Sequence, residues 1–147
     1  MAKLKWWMRV VGVLYLILGI GFIPPLNELR MRSFVPITAG PETIEYKALI
    51  DWTFVFGLDL MVIGAMLIYA SGKPLRNIIL VQTVIALEFV RGVLDDIYYI
   101  FRGYASVPFY IGFIVVHLII IVTGIMFWRQ AEREAQTERM QVEHAVS

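Results

Sequence analysis

The chain has 147 residues, 59% of them hydrophobic and only 17% charged, with a mean hydropathy of +0.73, which is far too apolar for an ordinary soluble domain of this length. A net charge of +1 without a concentrated basic patch argues against nucleic acid as a partner. With no cysteine there is no disulfide, no thiol nucleophile and no thiolate metal site.

A bilayer core of about 30 Å takes roughly 20 mostly apolar helical residues. Four stretches meet that need, so the sequence predicts an all-α protein, a four-helix transmembrane bundle. The first helix, residues 6–23, stops at Pro24 and Pro25. Lys3, Lys5 and Arg9 ahead of an apolar run also suit a signal peptide, but Pro24, Pro25 and Leu26 make no small-residue cleavage site. Trp6 and Trp7 read as an interfacial anchor. Residues 24–51 form a loop in which Pro41 and Glu42 mark the start of a short surface helix. The second helix, 52–70, ends at SGKP, a glycine and proline stop. The third covers 77–101 and the fourth 107–128, the latter extending into a polar tail, 129–147, that frays at its end. Residues 1–128 are thus one four-span domain, and the loop is too small for a second.

Lys3, Lys5, Arg9, Lys73, Arg76, Arg129, Arg133 and Arg139 fall on one side of these spans, against Arg30, Arg32, Lys47 and Arg102 on the other. The positive-inside rule then puts both termini in the cytoplasm and the 24–51 loop outside. The expected location is a bacterial inner membrane, crossed several times, with the lipid bilayer as the first partner.

The third helix carries charge. At about 100° per residue, Glu88, Arg91, Asp95, Tyr99 and Arg102 fall in one stripe, with Asp96 and Tyr98 beside it. A charge facing lipid costs about 2.5–3.5 kcal/mol, so the stripe is expected to face the other helices. Arg91, three after Glu88 and four before Asp95, is spaced to bridge both carboxylates. Counting about 1.5 Å per residue from the outer end, Arg91, Asp59, His117 and Tyr15 reach comparable depths of roughly 10–15 Å. The sequence therefore predicts a buried polar cluster of Tyr15, Asp59, Glu88, Arg91, Asp95 and His117, with Arg91 the natural partner of Asp59. Such a cluster serves equally as a salt-bridge network that fixes packing or as a binding site. A single interior His is more often a hydrogen-bonding residue than a proton carrier.

Gly12 and Gly19, and Gly57 and Gly64, each lie seven apart and line faces where helices approach closely. Tyr98, Tyr99, Phe101, Tyr104, Phe109 and Tyr110 gather near the outer end of helices three and four, as an interfacial belt does. Phosphate-binding loops, zinc spacings and serine nucleophile elbows do not occur. A carboxylate metal site from Asp59, Glu88, Asp95 and Asp96 would have Arg91 in its midst to repel the cation, so no metal and no cofactor is expected.

The stretches LKWWMRVVGVLYLILGIGF, DWTFVFGLDLMVIGAMLIYAS and ALEFVRGVLDDIYYIFRGY resemble the BphX-like family of small bacterial membrane proteins, over residues 4–128. Arg9, Gly12, Tyr15 and Gly19 also resemble the wider DoxX-like four-helix membrane proteins. The BphX-like resemblance implies a four-helix membrane protein and carries over no catalytic residues. Two functional expectations follow. One is a non-enzymatic membrane protein whose polar cluster stabilises the bundle or binds a small hydrophobic or aromatic molecule, another membrane protein or a second copy of itself. The other is an accessory subunit of a membrane oxidoreductase, in which Asp59, Glu88 and His117 handle protons beside a quinone.

Overall fold

The computed structural model describes residues 1–34 and 38–146, so residues 35–37 of the expected loop and Ser147 of the expected tail lie outside the described residues. Described residues form helices and their connections only: α1 (Ala2–Ile20), α2 (Pro24–Phe34), α3 (Ile44–Ala70), α4 (Ile78–Leu87), a π-helical segment (Glu88–Leu94), α5 (Asp95–Arg102) and α6 (Val107–Val146). Of these, α3 and α6 are each long and apolar enough to cross a membrane, and the α1–α2 pair would add a third crossing if it is one bent span.

Two boundaries differ from expectation, both in the 24–51 loop. The first helix ends at Ile20, where Gly21 donates to the Ile17 carbonyl at 3.2 Å, and the chain turns by 86° into α2. Pro24 and Pro25 do not merely stop a helix; proline fits the first helical turn, whose N–H groups have no intrahelical partner, and here they begin one. The short surface helix expected near Pro41 is the beginning of α3. Thr43 caps it, its Oγ1 accepting from the Tyr46 N–H at 3.3 Å. No glycine or proline intervenes before Gly57, so nothing stops the helix at residue 51.

The third helix is one rod of three parts. Leu87, Glu88, Leu94 and Asp95, at the joints of α4, the π segment and α5, all keep right-handed helical dihedrals. It ends at Gly103, whose φ of 68° is the left-handed conformation that glycine adopts without steric cost. The last helix keeps its form through the polar tail, where Ala131 is buried and the Met1 ammonium pairs with Glu134.

At the centre lies α1, packed along α3 in the largest interface and against α6 on another side. The two glycine pairs make the first contact so close. A Cβ on Gly12 would stand 2.8 Å from the Gly64 carbonyl oxygen, and one on Gly19 2.7 Å from that of Gly57. Leu4, Met8, Leu67, Val81 and Val84 are fully buried around this seam. Trp6 is exposed as an anchor would be, but Trp7 is buried, and its indole N–H reaches the Ile120 carbonyl and Thr123 Oγ1, each at 3.2 Å. A second small core of Met31, Tyr46 and Ile50 joins α2 to α3, with buried Asn27 donating to Thr53 Oγ1 at 2.6 Å. Packed on α1 and α2, α3 hardly touches the π-containing helix.

Candidate functional site

Glu88 opens the π segment and is 3% exposed. Its two carboxylate oxygens go to two different helices. The Tyr15 hydroxyl on α1 donates to Oε1, and His117 Nδ1 on α6 lies 2.5 Å from Oε2. The other face of the imidazole reaches Asp96, with Nε2 3.7 Å from Oδ2, at ion-pair range but beyond a hydrogen bond. Asp96 Oδ2 is itself buried and has no hydrogen-bond partner among the described residues. Tyr15, Glu88, His117 and Asp96 therefore form one string across three helical rods.

The local sequence explains why the string can close. Tyr15 sits on the α1 face that carries Trp7, Val11, Gly12 and Gly19, all buried. His117 needs room against the third helix, and Gly92 supplies it, since a Cβ there would stand 2.5 Å from Nδ1 and 2.7 Å from Cδ2 of the ring. A carboxylate taking two hydrogen bonds offsets part of its cost of burial. If Glu88 is ionised, His117 must carry its proton on Nδ1 to donate to it. An imidazolium would answer both Glu88 and Asp96.

Three of the six residues expected in the cluster are brought together: Tyr15, Glu88 and His117. The others are not. Asp59 and Asp95 are exposed and make no hydrogen bond or ion pair among the described residues, and exposed Arg91 bridges no carboxylates but stands over the Phe56 ring at 5.0 Å. Asp59 falls two residues after Gly57, on the side of α3 turned away from α1, and for Arg91 and Asp95 the physical reason is the π segment. An i→i+5 ladder takes about one residue more per turn than the 3.6 of an α-helix, so positions beyond Glu88 fall behind the α-helical phase. Arg91 is carried away from the Glu88 face, Gly92 lies against His117, and the acid that meets His117 is Asp96 instead of Asp95. The sequence reading missed Asp96 as a cluster member and gave Gly92 no role; the one legible signal was a glycine four residues after a buried acid.

Chemically, the string can hold helices together or pass a proton between neighbours. No group of three or more His, Asp or Glu disposed to hold a metal occurs among the described residues.

Residues 1–133 match the BphX-like family. The chain belongs to the BphX-like family. Two relatives, each described as an uncharacterized BphX-like protein, come from Burkholderia cepacia and Paraburkholderia xenovorans; both are 31% identical over 133 residues, covering 88% of this chain and 93% of theirs. No solved structure matches. The BphX-like region takes in all four residues of the string and ends just before Glu134.

Proposed function

We propose that this BphX-like chain is a non-enzymatic integral protein of the bacterial inner membrane, with four spans and cytoplasmic termini, in which Tyr15, Glu88, His117 and Asp96 lock three spans together. The carrying observation is Glu88, 3% exposed, with one oxygen committed to α1 and the other to α6. In an apolar medium an interhelical hydrogen bond has no water to compete with it, and a buried charge fixes which helices meet in which register.

Four spans follow from counting α4, the π segment and α5 as one. Residues 78–102 would reach about 35 Å as a continuous rod, enough to cross a bilayer core. Exposed Val10, Ile17, Ile79, Ile119 and Val122 would then meet lipid tails. The distribution of Lys and Arg supports cytoplasmic termini.

The absence of native cysteine makes the test direct. Single cysteines at Arg76 and Gln136 are expected to react with an impermeant thiol reagent only after cells are opened, and one at Glu45 in intact spheroplasts. Labelling of all three only in opened cells would sink the four-span topology. The lock is tested by Glu88→Leu, which should loosen the bundle in detergent; an unchanged unfolding midpoint would refute it.

A second reading, proton handling beside a quinone, is favoured by one observation: Glu88 and His117 lie 2.5 Å apart and lead on to Asp96. Folded Glu88→Gln or His117→Gln variants that abolish turnover of an associated oxidoreductase would support it.

A further inference from the structure

Asp59, Arg91 and Asp95 lie on membrane-level helices yet are exposed, and none makes a hydrogen bond or ion pair among the described residues. On the four-span reading, on which this inference rests, a lone chain would turn all three toward lipid, at about 2.5–3.5 kcal/mol for each charge. Asp59 and Arg91 belong to one side of the molecule. Arg91 reaches across to Phe56 of α3 at 5.0 Å, and Asp59 is less than one turn from Phe56 along the same helix. Between them α3 and the π-containing helix hardly pack, so this side is an open groove. Its flanks are apolar and exposed, with Val55 and Val62 on α3 and Val90 and Leu94 on the π segment.

We propose that this groove is where a second copy of the chain docks, about a two-fold axis along the membrane normal, so that Arg91 of each copy meets Asp59 of the other. The patch carries both signs on two different helices, which is what a self-complementary, isologous interface requires. The depths agree. Arg91 stands over the Phe56 ring, and Asp59 is three residues, about 4.5 Å along the axis, from Phe56, a gap an arginine side chain covers. A two-fold axis through the groove sets α3 of one copy against the π-containing helix of the other. The apolar flanks then close around the pairs.

The test uses the full chain in native membranes. One tagged chain carries Val62→Cys and a second, differently tagged, carries Val90→Cys; these positions sit at matching depth on the two helices the dimer brings together. Oxidation is expected to link the two tags, and native mass spectrometry of the wild type in mild detergent to give twice 16.9 kDa. A chain with Arg91→Glu alone, or Asp59→Arg alone, should lose at least about tenfold of its self-association, while the two co-expressed should recover each other. Retention in the membrane through an alkaline carbonate wash, with a monomeric wild type, no cross-link, or only a different protein bound, would overturn the dimer and leave the spanning reading standing. Release by the wash would overturn the spanning reading and the dimer with it.

Discussion

His117 rests against the bare backbone of Gly92, so close that a Cβ at residue 92 would stand 2.5 Å from its Nδ1. Gly92→Ala should therefore push the ring off Glu88. The expected cost is about 1–3 kcal/mol, as for other overpacked cores, read as a lower unfolding midpoint in detergent. Adding His117→Ala should return much of the loss, because the clash disappears with the ring. Purely additive losses would mean that Gly92 matters for another reason.

Glu88→Ala leaves the Tyr15 hydroxyl and His117 Nδ1 without their shared acceptor, and a loss of about 3–5 kcal/mol is expected. Glu88→Gln keeps one oxygen for Tyr15 and offers an N–H to the imidazole, so it should cost less. Tyr15→Phe removes one bond to the carboxylate, about 1.5–3 kcal/mol. Equal midpoints for Glu88→Ala and Glu88→Gln would contradict the proposed sharing.

The α1–α3 seam makes a contrast between glycines. Gly64→Leu drives a side chain into the Gly12 carbonyl, where a Cβ would already be at 2.6 Å, and should separate the helices, with a loss of several kcal/mol. Gly112→Ala on α6 meets nothing within 4 Å and should be neutral or stabilise by up to about 1 kcal/mol through helix propensity. Thermal unfolding of both variants side by side decides it; similar losses would show the seam is not tightly packed.

Glu134 couples the polar end of α6 to the start of the chain. The hydrogen bond from the Met1 ammonium, aided by one from Gln130, holds its carboxyl below the usual carboxylate range. A carboxyl depressed in the fold contributes stability above its unfolded value and loses it as pH falls through the lowered one. Limited proteolysis of the tail at about pH 3 should thus be faster, relative to pH 7, than in Glu134→Gln, where the dependence is already lost. Identical profiles for the two proteins would remove the contact from the account.

Much of the fold is written in the sequence. Uninterrupted apolar runs mark the long helices, and the glycines seven apart meet as Gly12 with Gly64 and Gly19 with Gly57. Trp7 is harder to read, because its neighbour Trp6 has the same chemistry and only helical phase sends one ring inward. The cluster was half legible. Tyr15, Glu88 and His117 are polar groups in apolar helices and have to find one another, whereas Asp95 and Asp96 differ by a single position whose outcome depends on the backbone ladder. No residue type announces a π segment, and α-helical angles applied throughout choose Asp95 where the structure chooses Asp96.

The π segment also changes what a deletion would mean. Taking one residue out between Phe89 and Leu94 would leave the third helix helical and shorten it by only about 1.5 Å. By letting the wide turn close into ordinary α-helix it would absorb the missing residue, so everything beyond the cut would keep its bearing and Asp96 would still meet His117. At this place the chain holds one amino acid of slack, whereas the same loss in an unbroken α-helix would turn everything after it by about a quarter turn.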